Sequence, residues 1–95
     1  MEFRNKFIPM VEREKKAEEF MNLKQRSLTV EQYEVQFSRL AKYAPKLVPD
    51  EEERKRRFRA GLNVEIQNSL VSTYYWTFTE LVEFAQRAEN VLEKH

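Results

Sequence analysis

The chain has 95 residues, of which 41% are hydrophobic, and this is enough for one domain with one modest core. Its 17 basic and 16 acidic residues give a net charge of +1, so it lacks the basic excess that is typical of a dedicated nucleic-acid module. Cysteine is absent, which excludes a disulfide framework and a zinc–thiolate site and fits a reducing compartment.

The first predicted element is a short apolar cluster followed by a helix. Phe3, Phe7 and Ile8 precede Pro9, and we expect a helix to restart there because proline suits a first helical turn. A partial apolar stripe follows, made of Val11, Ala17, Phe20, Met21 and Leu23. If the later helices close a core by themselves, this segment must pack on a neighbour in the same chain or in a second copy. A helix exchanged between two copies is a simple route to a dimer.

The next predicted helix has its own cap and a long apolar stripe. Thr29 and Gln32 form a capping-box pattern. The stripe at helical spacing consists of Val30, Tyr33, Phe37 and Leu40. This pattern predicts a helix from about residue 30 to residue 43. The connector that follows contains Pro45 and Pro49, which disfavour a continued helix.

The third predicted helix begins with acids and ends with bases, the order that the helix dipole favours. Asp50 is its predicted cap, Glu51–Glu53 fill the first turn, and Arg54–Arg59 contains the basic residues. Opposite charges four residues apart predict three ion pairs, namely Glu51–Lys55, Glu52–Arg56 and Glu53–Arg57. Gly61 is predicted to follow the helix at C′ in a left-handed conformation.

The remaining sequence predicts a short helix and a longer one. Asn63 is the predicted cap of the short helix, and the β-branched and aromatic stretch 72–76 should end it. Thr77 and Glu80 form a second capping box, so the last helix is predicted from about residue 78 to residue 93. With one glycine and three prolines, the chain has too few turn residues for an all-β fold. We therefore predict an all-α fold, a small five- or six-helix orthogonal bundle.

The residue types give no basis for catalysis or for metal binding. His95 is the only histidine, and cysteine is absent, so the common nucleophile–base pairs cannot form. No loop has the carboxylate spacing of a calcium site. We therefore expect no enzyme activity, no cofactor, no metal and no small-molecule ligand. No apolar run is long enough to span a bilayer and no signal peptide is visible, so we expect no membrane contact and an intracellular, cytoplasmic protein.

The basic run Arg54–Arg59 has two interpretations, a phosphate-binding patch or a solvated, ion-paired helix. Consecutive residues of a helix point all round its axis, so they do not form one stripe, and their acidic partners lie one turn upstream. We favour the solvated helix and expect RNA to bind through these residues only weakly.

The aromatic run Tyr74, Tyr75 and Trp76 also has two interpretations, core packing or a protein contact. Adjacent bulky residues cannot all point inward, so at least one side chain should be exposed. For Trp76 the core is favoured, while for Tyr74 and Tyr75 a contact role stays open.

In this order and at these spacings, the motifs resemble the retrotransposon Gag family, that is, the Gag capsid region of gypsy-type long-terminal-repeat retrotransposons. The likeness covers almost the whole chain. The residues that match are Phe3, Phe7-Ile8-Pro9, Glu18-Glu19-Phe20, Leu23, Gln25, Ser27, Val30-Glu31, Tyr33, Phe37, Leu40, Tyr43-Ala44-Pro45, Phe58-Arg59-Ala60-Gly61-Leu62, Ile66, Thr79-Glu80-Leu81-Val82-Glu83, Ala85 and Ala88-Glu89.

Residues 25–40 are also similar to the major homology region of retroviral capsids. The residues that would hold its places are Gln25, Glu31, Tyr33 or Phe37, Arg39 and Leu40. The resemblance implies that Gln25 and Glu31 hydrogen-bond the turn to the helix, and that the aromatic side chains fill the core. It also implies that residues 25–95 form the C-terminal capsid lobe, while residues 1–24 end the preceding lobe.

The function that the resemblance implies is self-association, as a homodimer or higher oligomer, in the shell of a virus-like particle. The candidate contact residues are Phe3, Phe7, Phe20, Arg56, Tyr74, Tyr75 and Trp76. One alternative is a dimerisation module of a host protein derived from a capsid, similar to the SCAN-type domains. A further alternative is a small RNA-binding domain that uses Arg54–Arg59.

Overall fold

A computed structural model describes the backbone of residues 2–94 and the side chains of residues 10–94. Within this part of the chain the structure is all helical, with no strand, and the predicted all-α class is confirmed. The elements are α1 (Glu2–Met21), α2 (Val30–Ala41), a 3-10 turn (Pro45–Leu47), α3 (Glu51–Gly61), α4 (Val64–Ser69) and α5 (Phe78–Glu93).

Side-chain caps fix where three of the helices begin, as the sequence predicts. Thr29 accepts from the backbone N–H of Gln32, and the Gln32 side chain accepts from the backbone N–H of Thr29. Thr77 and Glu80 form the same pair of bonds at the start of α5. Asp50 accepts from the backbone N–H of Glu53 at 2.9 Å. These bonds satisfy main-chain donors that the first helical turn leaves without a partner.

The helix α2 ends two residues earlier than predicted. The N–H groups of Tyr43 and Ala44 bond to the carbonyls of Leu40 and Ala41, each 3.0 Å away, in a three-residue pattern. This tighter pattern is common at helix ends. It turns the chain into the 3-10 turn that contains Pro45.

An aromatic cluster forms the centre of the core. The Phe37 ring packs on Phe20 and Phe58, with ring centroids 5.0 and 5.2 Å apart, and Tyr33 stacks on Phe58 at 4.6 Å. Phe78 closes one edge, 5.7 Å from Phe37. The aliphatic residues of the core are Val30, Leu40, Ala41, Ala44, Leu62, Ile66, Leu70, Leu81 and Ala85. All five helices contribute to this cluster or to the half-buried side chains around it.

The predicted restart at Pro9 is wrong, because α1 is one continuous helix through this residue. Proline lacks the N–H that would bond one turn back, but its fixed φ is helical, so the helix loses one bond without ending. The side chains of Phe3 and Phe7 lie outside the described residues. Near the end of α1, Ala17 and Phe20 pack against the core of residues 25–94. The division into residues 1–24 and 25–95 stays a prediction.

Gly61 does not have the left-handed conformation that the sequence predicts. It is the last residue of α3, has no positive φ, and is followed by the extended residue Leu62. Glycine is required here because the site has no room for a side chain. A Cβ at this position would overlap the Tyr33 hydroxyl and lie 2.9 Å from Tyr33 Cζ and 3.3 Å from the Leu23 carbonyl oxygen. The positive φ belongs to Arg26, at 50°, in the turn before α2.

The shape of the molecule is elongated, with extents of 55 × 26 × 16 Å. Its radius of gyration is 15.6 Å, whereas a compact chain of this length has about 12 Å. Side chains 10–15 of α1 are all exposed, and Lys16 and Ala17 are half-buried. We call the part of α1 before Lys16 the arm. The arm projects from a compact lobe formed by the rest of the chain.

Candidate interaction surfaces

Gln25 joins the turn before α2 to the junction of α3 and α4. The side chain is 1% exposed, and its Nε2 donates to the Leu28 carbonyl at 2.9 Å. Its Oε1 accepts from the backbone N–H of Asn63 at 3.0 Å, and its own N–H donates to the Gly61 carbonyl at 2.8 Å. One buried amide therefore satisfies groups from two distant segments, which fixes how they meet.

Glu89 forms the hydrogen bonds to the start of α2 that the resemblance to the major homology region assigns to Glu31. Glu31 is exposed in the first turn of α2, and its side chain forms no hydrogen bond within the described residues. The Glu89 carboxylate of α5 instead accepts from the N–H of Val30 at 3.0 Å and from Gln25 Nε2 at 3.4 Å. Sequence reasoning missed this role. The sequence does indicate that Glu89 faces the core side of α5, because it lies four residues after Ala85, beside the apolar stripe of this helix.

The other residues of the major-homology-like segment either fill the core or bond to a neighbouring side chain. Tyr33, Phe37 and Leu40 are buried, and Arg39 is exposed, with its guanidinium donating to the Gln36 side chain at 2.6 Å. The Tyr33 hydroxyl donates to the carbonyl of Phe58 at 3.0 Å. Burial raises the pKa of the Tyr33 phenol well above its ordinary value, so this donor keeps its proton.

The basic side chains of α3 point in different directions and form no single stripe. The Arg54 guanidinium lies 4.8 Å from the centre of the Phe78 ring. Arg57 donates to the Leu47 carbonyl at 3.2 Å, and the Lys55 ammonium donates to the Trp76 carbonyl at 2.7 Å. Arg57 and Lys55 thus hold connecting segments against α3, and Arg54 contacts the first residue of α5. Arg56 and Arg59 lie on the remaining side of the helix, facing residues 74–76.

The ion pairs of α3 have a different spacing from the predicted one. Lys55 pairs with Glu52 at 2.8 Å and Arg56 with Glu53 at 2.7 Å, so the partners are three residues apart and not four. The predicted spacing fails because Arg57 and Lys55 also reach main-chain carbonyls of neighbouring loops. The hydrogen bond from Arg56 lowers the pKa of the Glu53 carboxyl, and Glu53 raises the pKa of Arg56.

Trp76 lies on the surface, so the predicted packing of its side chain in the core is wrong. Trp76 and Tyr74 are each 70% exposed, while Tyr75 is half-buried. The reason is the fixed backbone of Trp76, whose N–H donates to Glu80 Oε1 at 2.7 Å and whose carbonyl accepts from Lys55. Both polar groups of its backbone bond to the protein, and the ring points outward. Phe78 takes the place at the core edge.

A cleft of about 690 Å³ lies between α3 and this aromatic turn. We call it the aromatic cleft. The residues that line it are Glu52, Glu53, Lys55, Arg56, Arg59, Ala60, Gln67, Tyr74, Tyr75 and Trp76. The structure thus brings together two features that are separate in the sequence, the basic run and the aromatic run.

The described part of the chain has neither a membrane-spanning helix nor a cluster of metal ligands. Residues 2–94 contain no helix with both the length and the apolar composition needed to cross a membrane. Among the side chains of residues 10–94, no cluster of three His, Cys, Asp or Glu could hold a metal ion.

Comparison with known protein families gives a match over the whole chain. The model of a protein family described as Ty3 transposon capsid-like protein matches residues 1–95. No curated protein and no solved structure is significantly similar to the chain. The family match covers every residue of the sequence, including the arm and the aromatic turn.

Proposed function

This chain belongs to the Ty3 transposon capsid-like protein family, and on that basis we propose that it is a structural capsid lobe that associates with its own copies to build the shell of a virus-like particle. The family indicates a retrotransposon capsid role, which is structural and not enzymatic. In this proposal the chain self-associates, assembles into particles and acts inside the cell.

The arm is the observation that carries this proposal. Met10 is 62% exposed and Val11 is 45% exposed, and the side chains of residues 12–15 are exposed as well. A helix without tertiary contacts is only marginally stable in water. The arm therefore gains stability when its apolar side chains pack against a partner.

A second copy of the arm is a suitable partner because its charges are self-complementary. Glu12 and Lys15 lie about one turn apart, and both follow Val11. An antiparallel pair of arms centred between residues 13 and 14 places Glu12 of one copy opposite Lys15 of the other. A twofold contact repeats this pair, so the same surface serves both copies.

The candidate contact residues have different positions relative to this surface. Phe20 is 3% exposed inside the core of its own chain, so it is not available as a contact in this conformation. Phe3 and Phe7 belong to the arm by sequence, and their side chains are outside the described residues. Tyr74 and Trp76 are exposed, but they lie in the aromatic cleft with Arg56, and Tyr75 is half-buried there.

A pair of matched substitutions tests the arm as the contact. Met10→Glu places a charge on the arm, whereas Val64→Glu places the same charge at a residue of equal exposure, 62%, on α4. We expect Met10→Glu to weaken self-association about tenfold or more, because it buries a charge in the contact, and Val64→Glu to leave it unchanged. Light scattering over a concentration series measures both. Equal association of the two variants, or loss only in Val64→Glu, would contradict the arm contact.

A further inference from the structure

The exposed rings of the aromatic cleft form two walls of a site. The Tyr74 and Trp76 ring centroids are 4.8 Å apart and the ring planes are inclined by 66°. Because each side chain is 70% exposed, ring surface is left open to solvent on both walls. Flat ligands with a π-face can stack on such rings without sequence-specific hydrogen bonds.

The turn that carries these rings is held in place before any ligand binds. Glu80 Oε1 accepts from the N–H groups of Trp76 and Thr77, at 2.7 and 3.1 Å. Glu51 accepts from the N–H of Phe78 at 2.8 Å, and the buried Lys55 donates to the Trp76 carbonyl. A ligand that stacks here therefore loses little affinity to ordering of the turn.

The charges of the cleft favour an anion. Glu52 pairs with Lys55 and Glu53 pairs with Arg56, so these four charges balance. Within residues 10–94, no carboxylate lies at ion-pair distance from Arg59, whose guanidinium is 3.5 Å from the Tyr75 hydroxyl. Exposed rings also attract organic cations, but the neighbouring ammonium and guanidinium groups oppose a cation at this place.

A ligand for this site must be flat, anionic and of moderate size. The cleft volume of about 690 Å³ lies within the range of about 300–1,000 Å³ that is usual for small-ligand sites. A nucleotide unit combines a planar base with a phosphate, and it meets all three requirements. We propose that the aromatic cleft binds single-stranded nucleic acid, with a base stacked on Trp76 or Tyr74 and a phosphate held by Arg59.

The expected binding is weak and only moderately dependent on salt. Arg59 alone provides one phosphate contact. A second contact forms if Arg56 breaks its ion pair with Glu53 and binds a phosphate. For a single strand, the slope of log K against log salt concentration is then about −0.7 to −1.4. This inference is independent of the arm contact, because the cleft and the arm share no residue.

Trp76 itself reports on the site, because it is the only tryptophan of the chain. The experiment adds a 12-nucleotide RNA, the DNA of the same sequence, uridine monophosphate or inorganic phosphate to the full chain and follows tryptophan fluorescence. We expect both oligonucleotides to quench Trp76, the free nucleotide to quench it more weakly, and phosphate to leave it unchanged. Unchanged fluorescence with both oligonucleotides at millimolar concentration would overturn the proposal.

Substitutions inside and outside the cleft provide the matched variants, and fluorescence anisotropy of a labelled RNA measures their affinity. We expect Arg59→Gln and Trp76→Ala each to weaken binding about tenfold. The controls are Arg39→Gln, which removes an exposed charge from α2, and Tyr43→Ala, which removes an exposed ring, and each should change the affinity by less than about twofold. Equal losses in Arg59→Gln and Arg39→Gln would overturn the site, as would a Trp76→Ala variant that loses self-association but keeps its RNA affinity.

Discussion

Gly61 lies where the phenol of Tyr33 crosses the last turn of α3. The sequence marks this glycine as special, because a lone glycine after a basic helix is typical of a left-handed cap. The structure gives another reason, the overlap that a Cβ would make with the Tyr33 hydroxyl. A local pattern indicates that a small residue is needed, but the contact with a distant tyrosine depends on the fold.

The first prediction concerns whether Gly61→Ala raises or lowers the free energy of unfolding. In an ordinary helix this change stabilises, since alanine is the better helix former. Here we expect a loss of about 1–3 kcal/mol in the free energy of unfolding, because the added methyl group overpacks the site. Urea denaturation measures it. In a Tyr33→Phe background the loss should be smaller, because the overlapping hydroxyl is gone, and a gain in stability from Gly61→Ala in the wild type would contradict the overlap.

The second prediction concerns alkaline pH. Burial raises the pKa of Tyr33 in the folded state, whereas an unfolded tyrosine titrates at about 10. Above that pH the unfolded state loses the proton and the folded state keeps it, so stability falls as the pH rises. We expect the urea midpoint of the wild type to fall more steeply above pH 10 than that of Tyr33→Phe, which keeps every other ionisable side chain. Parallel curves for the two proteins would show that Tyr33 is not buried as described.

At the scale of elements, the starts of the helices follow from local sequence and the contacts between helices do not. The capping boxes at Thr29 and Thr77 involve residues three apart, so the pattern alone predicts them. The roles of Glu89 and Trp76 depend on which helix or side chain comes near in the fold. Glu89 lies at the start of α2 only because α5 packs there, and Trp76 turns outward because Lys55 and Glu80 hold its backbone.

The third prediction compares the two carboxylates at the start of α2. Glu89→Ala leaves the N–H of Val30 without its acceptor and should cost about 1–2 kcal/mol in the free energy of unfolding. Glu31→Ala removes an exposed charge in the first turn of the same helix and should cost less than about 0.5 kcal/mol. Thermal or urea unfolding of both variants measures the difference. A larger cost for Glu31→Ala would restore the role that the family resemblance gives it.

At the scale of the whole molecule, the sequence predicts the all-α class and the approximate bounds of α2 to α5. It does not predict that α1 continues through Pro9 and projects as an arm, because one missing hydrogen bond does not decide whether a helix ends. It also does not predict the aromatic cleft, since α3 and residues 74–76 meet only in the fold. The family match supports the resemblance that the ordered motifs indicate.

The central claim is that this lobe associates with its own copies. The mass of the wild-type chain in solution tests this claim directly. Sedimentation equilibrium of the wild-type chain from about 10 µM to 1 mM covers the range of a weak contact that is repeated in a shell. We predict that the mass rises with concentration from 11.6 kDa to at least twice that value. A mass that stays at 11.6 kDa up to 1 mM would contradict the account.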